Sequence, residues 1–118
     1  MQKIAIVVLS DTESGEAMGR IVNALSAAKE YKEAGDDVNV TFSGAGTKWI
    51  AVLHETSHPA HALYTEIQDR VAGVCGYCAG AFGQNDAVSA CGVPVLEEYG
   101  TNMSFRKLTA QGYQVITF

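Results

Sequence analysis

The sequence predicts a three-layer α/β fold built on five mostly parallel strands. Three observations carry that prediction. The opening run Lys3-Ile4-Ala5-Ile6-Val7-Val8-Leu9 is nearly continuous and β-branched, as in a strand buried on both faces of a parallel sheet. Short apolar runs then alternate with longer helical patterns along the whole chain. Glycines mark the boundaries between them. At 118 residues the chain is shorter than a typical domain, so residues 1–118 read as one domain with a core of its own.

Each element follows in order. Ser10 to Gly15 is a polar loop, with Ser14 as the expected cap of the next helix and Glu16 in its first turn, where a negative charge suits the dipole. Met18, Ile21, Val22, Leu25 and Ala28 recur at helical spacing, and Gly35 is a natural terminator. Val38 to Phe42 alternates as a second strand, which makes a βαβ unit with a right-handed crossover. Gly44-Ala45-Gly46-Thr47 forms a loop, and a short helix covers Lys48 to His54. A further helix starts near Pro59, capped by Ser57 or His58, and runs to about Arg70. Val71 to Cys75 is the third strand. Cys78 to Ala90 reads as a helix weakened by Gly80 and Gly83. Val93 to Leu96 is a short strand at an edge or near a strand end, because Pro94 cannot donate a ladder hydrogen bond. Ser104 caps a last helix ending at Gly112, and Tyr113 to Phe118 closes the sheet.

Composition narrows the function. Eight basic residues against thirteen acidic ones give a net charge of −5 and leave no basic stripe. Sequence-independent nucleic-acid binding and attraction to anionic membranes are therefore disfavoured. The longest apolar run, Ile4 to Leu9, is too short to span a bilayer, and the start lacks the succession of a signal peptide. A cytoplasmic location is the expectation. Three cysteines cannot all pair internally, and two form Cys75-Gly76-Tyr77-Cys78. In a protein without an export signal, that spacing points to redox, sulfur or metal chemistry ahead of structural disulfides.

Cys75 is expected at a strand's carboxyl end and at the mouth of a helix, the edge where open α/β sheets bind ligands. Unpaired N–H groups there favour the thiolate, the nucleophilic form. Gly76 is expected to leave Cys75 sterically open. Cys78 lies one helical turn on, close enough to attack a sulfur carried by Cys75 and so to act as resolving thiol. The plainer alternative is that both are small apolar fillers. Cys91 reads most simply as a buried helix-end residue.

The run Val71 to Cys75, the Ala- and Gly-containing helix after it, and Gly83 eight residues on resemble the cysteine region of the DsrE/DsrF-like (DsrE/TusD/YchN-type) family. The resemblance extends to the opening strand with its polar loop, to Phe42-Ser43-Gly44-Ala45-Gly46, and to the closing Gly112 to Phe118. It is closer still to small single-domain members of unassigned role. It implies a flavodoxin-like fold, assembly into trimers or hexamers and, by analogy with sulfur-relay members, a cysteine at position 75 that carries persulfide sulfur between donor and acceptor proteins. Cys78 departs from the relay pattern, which usually has alanine there. A neighbouring thiol would tend to discharge a persulfide as sulfide.

Other candidates rank lower. His54, His58 and His61 could complete a zinc site with Cys75 and Cys78, but no second ligand pair is evident, and helix-capping or solvent-facing histidines are the better expectation. Ser10 to Gly15 occupies the position of a phosphate loop, yet Asp11, Glu13 and Glu16 put negative charge there, so a capped loop is expected and no cofactor is assigned. Tyr77 and Trp49 are more simply core residues than pocket walls, and Arg20, Lys48 and Arg106 read as solvated single charges. A thioredoxin-type oxidoreductase fits poorly, because two βα units precede Cys75. The competing function class is a non-enzymatic oligomeric module that binds a small ligand or a partner and whose cysteines are structural.

Overall fold

A computed structural model describes residues 1–118. Five strands, β1 (Lys3–Val8), β2 (Asp37–Phe42), β3 (Val71–Cys75), β4 (Val95–Leu96) and β5 (Gln114–Thr117), form one sheet. Its order is β4-β3-β2-β1-β5 and every pairing is parallel. The helices are α1 (Ala17–Glu33), α2 (Trp49–His54), α3 (His61–Ile67), α4 (Gly76–Ala81), α5 (Asn85–Ala90) and α6 (Phe105–Ala110). The layering is the three-layer α/β arrangement read from the sequence. The strand order is distinct from the 2-1-3-4-5 of flavodoxin itself.

The order explains how the helices divide. From β1 to β4 each crossover steps the same way, and right-handed crossovers that step one way leave their helices on one face. The return to β5 steps the other way and sends α6 to the opposite face. Side-chain alternation follows: Ile4, Ile6 and Val8 of β1, Val38, Val40 and Phe42 of β2, and Val74 of β3 join α1 to α5 in a core cluster of twenty buried residues. Across the sheet, only Val7, Cys75 and Met103 are buried together, with Leu96, Leu108, Val115 and Cys78 packed against them.

Two glycines let backbones approach. A Cβ at Gly46 would lie 2.1 Å from the Val8 carbonyl oxygen, and one at Gly73 (φ +153) would lie 2.4 Å from that of Pro94. Three local expectations change. Helix α1 starts one residue after Glu16, whose side chain pairs with Arg20 at 2.8 Å instead of capping, while Ser14 contributes only its carbonyl. The segment Cys78 to Ala90 is not one helix: α4 ends at Ala81, and Gly83 in a left-handed turn (φ +66) separates it from α5. The helix expected from Pro59 is regular only over α3, with a 3₁₀ turn at Gln68–Arg70. Ser104 does cap α6, accepting from the Lys107 N–H at 3.0 Å.

Candidate functional site around Cys75

The loops leaving the sheet's carboxyl edge turn to opposite faces between β3 and β4: α4 goes toward the main core and the β4–α6 loop goes the other way. That divergence is the topological switch point, where open α/β sheets form their crevice. Cys75, the last residue of β3, sits at it and caps α4 with extended backbone (φ −62, ψ 121). β2 and β3 run parallel with Phe42 opposite Val74, so their next residues, Ser43 and Cys75, emerge side by side.

Four groups surround the sulfur. The Met103 N–H donates to Cys75 Sγ at 3.5 Å, and the Cys75 thiol points at Asn102 Oδ1 at 3.6 Å. Ser43 Oγ and Cys78 Sγ lie 3.5 Å apart and bridge the rim. Burial pushes the Cys75 thiol up, but the Met103 and Cys78 backbone N–H groups, the Cys78 thiol and the Ser43 hydroxyl outweigh it, and its pKa falls below the ordinary 9.0. The side chain makes no capping hydrogen bond within α4, so the Cys78 N–H favours the charge without holding the rotamer. On ionisation the Asn102 amide can turn its NH₂ toward the sulfur, exchanging an acceptor for a donor.

The loop from Glu97 to Ser104 supplies two of these partners and has its own internal scaffold. Glu98 N–H and Tyr99 N–H both donate to the Asn102 carbonyl, at 2.7 and 2.9 Å. The Glu98 carboxylate accepts from the Ser104 N–H at 3.0 Å and from Lys107 Nζ at 2.8 Å. Burial raises the Glu98 pKa, yet Lys107 and the Ser104 N–H hold it below the usual carboxylate value. The Tyr77 N–H donates to the Thr101 carbonyl at 2.7 Å, and a Cβ on Gly76 would lie 2.9 Å from that oxygen. Gly76 therefore makes room for this loop; it does not open Cys75 to solvent. Only 1% of Cys75 is exposed. Its access is a groove of about 970 Å³ whose walls include Ser43, Tyr99, Met103, Phe105 and Arg106.

The structure brings Cys75 and Cys78 together and leaves the other sequence candidates elsewhere. His54 Nδ1 meets the Ile50 carbonyl and His61 Nδ1 that of Leu53, both at 2.7 Å, while His58 Nδ1 accepts from the Ala60 N–H at 3.1 Å. Each serves the α2–α3 corner, and nowhere do three His, Cys, Asp or Glu side chains gather as metal ligands. Cys91 ends α5 and packs on the main core. Asp11, in the polar loop, is paired with Lys48 at 3.3 Å. Trp49 is buried in the core and donates to the Ser10 carbonyl at 3.0 Å, whereas Tyr77 is half exposed and not core. Sequence reasoning missed Asn102, Met103 and Glu98, and it gave Ser43 no role. Only Ser43 had a signal, its place directly after a strand next in line to β3.

A family model for the DsrE/DsrF-like family matches residues 2–118. The chain belongs to that family. An uncharacterised protein of Methanocaldococcus jannaschii, MJ0733, is 24% identical over 115 residues, which cover 97% of this chain and 93% of that one. Two solved structures share the fold. The ychN protein from E. coli has a TM-score of 0.65 at 16% identity, with all of both chains covered. BT1422 from Bacteroides thetaiotaomicron, a conserved protein of unknown function, has a TM-score of 0.63 at 15% identity over 97% of this chain and 94% of that one. The family is commonly sulfur-related, and this DsrE-like chain places Cys75 and Cys78 near each other at the crevice of its fold.

Proposed function

We propose that this protein is a sulfur carrier or sulfurtransferase whose Cys75 thiolate takes up persulfide sulfur. The observation that carries the reading is a thiol with lowered pKa at the floor of a groove, at the switch point of the sheet. The thiolate attacks the terminal sulfur of a donor R–S–SH. A Cys75 S–S bond forms, the donor's S–S bond breaks, and R–S⁻ leaves. An acceptor thiolate can then take the terminal sulfur and restore Cys75.

Cys78 offers a second outcome. Its thiol can attack Cys75 Sγ, forming a Cys75–Cys78 disulfide and expelling sulfide; an external dithiol then reduces the pair. The contacts that stabilise the Cys75 thiolate also hold Cys78 beside it. The experiment is single-turnover sulfide release from loaded protein. Cys78→Ser is expected to hold sulfur on Cys75 and release sulfide several-fold more slowly, and an unchanged release rate would remove Cys78 from the role.

Self-association belongs to the same proposal. Leu9, Met18, Val22, Tyr77 and Phe82 are large apolar side chains at least 38% exposed, surface suited to contacts between copies in a trimer or hexamer. The groove itself favours a second reading, a module that binds a small ligand without turnover. Under that reading Cys75 is inert to persulfide donors in the folded protein. No helix is long and apolar enough to cross a membrane.

A further inference from the structure

The structure assigns a substrate class to this groove: we infer that it takes a low-molecular-weight thiol persulfide bearing a carboxylate, with Arg106 receiving that carboxylate. The inference rests on the sulfur-handling reading of Cys75 and adds to it what the donor must look like. Three observations carry it. First, Cys75 is 1% exposed and reached through the groove, so a donor must be narrow enough to enter with its sulfur leading. Second, about 970 Å³ lies at the upper end of small-molecule sites and far exceeds one terminal sulfur, leaving room for the body of a small thiol beside Tyr99, Met103, Phe105 and Ala110.

Third, the charges lining the groove leave one cation over. Glu98 and Lys107 are paired at 2.8 Å, whereas the Arg106 guanidinium makes no hydrogen bond or ion pair anywhere in the protein. Every other arginine of the chain has an acidic or carbonyl partner: Arg20 with Glu16, and Arg70 with Asp69 and the Asp36 carbonyl. Arg106 is an exposed, unpaired guanidinium on the wall of a half-open groove, and in a chain of net charge −5 it is complementary to a single carboxylate, which it can hold with two parallel hydrogen bonds. The donor's carboxylate rests on Arg106 while its terminal sulfur is transferred to the Cys75 thiolate. The donor's own S–S bond breaks, and the carboxylate-bearing thiolate leaves by the same groove.

The test compares two donors on the full chain: the persulfide of N-acetylcysteine and that of its neutral N-methylamide. Loading rates of Cys75 are read by intact mass. The carboxylate donor is expected to load about tenfold faster, the worth of one charge-assisted contact. Arg106→Gln is expected to remove that preference and Arg106→Lys to keep part of it, with denaturation midpoints verifying that the variants fold. Equal rates for the two donors in the wild type, or a preference unchanged in Arg106→Gln, would overturn the assignment while leaving sulfur loading of Cys75 intact. Loading by neither donor would overturn the sulfur reading and this assignment with it.

Discussion

One face of the sheet is covered by five helices and the other by α6 with a single loop. On the first face, twenty buried residues interlock, almost all aliphatic or aromatic. On the second, the apolar cluster shrinks to Val7, Cys75 and Met103, with Ala5 buried nearby, and polar residues stand beside them: Asn39 and Thr41 of β2 and Ser43 just after it. Asn39 Oδ1 has no hydrogen-bond partner and borders a second cavity of about 180 Å³ beneath Met103. The same strands thus present stability on one side and chemistry on the other. Period-two alternation makes this separation available to any sheet. The reversal in strand order decides which side is left thinly covered.

Substitutions on the two faces should separate stability from reactivity. On the covered face, Ile6→Ala removes a fully buried side chain and should lower unfolding free energy by about 2–5 kcal/mol, read from denaturant midpoints. Its Cys75 should react normally while the protein stays folded. On the thin face, Asn102→Asp puts a carboxylate where an amide oxygen now lies 3.6 Å from the sulfur. A like charge so close raises a thiol pKa, so alkylation of Cys75 at neutral pH should slow by about an order of magnitude with little change in midpoint. If Asn102→Asp unfolds the protein and leaves the thiol unaffected, the division between faces is wrong.

Smaller effects sharpen the picture. Ser43→Ala deletes one of the groups that favour the Cys75 thiolate, and alkylation should slow by a factor of about two to five, consistent with the loss of one modest hydrogen bond. The pH dependence of stability has a defined sign. Between its lowered native value and the ordinary 9.0, the Cys75 thiol binds fewer protons in the native chain than in the unfolded one, so stability increases with pH there. The stability advantage of wild type over Cys75→Ser should therefore grow as pH rises from neutrality toward 9.0 and fade as pH drops through the native pKa. A pH-independent difference would mean that the thiolate is not stabilised.

Much of this was legible in the residues. The β-branched run of β1 has no amphipathic alternation because both its faces are buried, which is why it reads as a central strand. Cys75 could be placed at a strand end because Val71 to Val74 stop at a glycine-bearing turn. The loop that completes the site was not legible. Glu98, Asn102 and Met103 belong to an aperiodic stretch whose hydrogen bonds run within the loop, to α4 and α6, and to a strand more than twenty residues away. No spacing rule encodes that. Gly76 was misread for a related reason: its missing Cβ serves the Thr101 carbonyl, a partner that only the fold brings near. Gly83 did announce a weak helix, and the left-handed turn there is what breaks it.

The central claim is that Cys75, on the thinly covered face, carries sulfur. It is tested most directly by intact mass of the native protein after exposure to a persulfide donor, with and without reductant, followed by peptide mapping. A reductant-labile gain of one sulfur atom on the peptide containing Cys75, absent in Cys75→Ser, is the predicted result. An unmodified Cys75, or loading undiminished in Cys75→Ser, would contradict it.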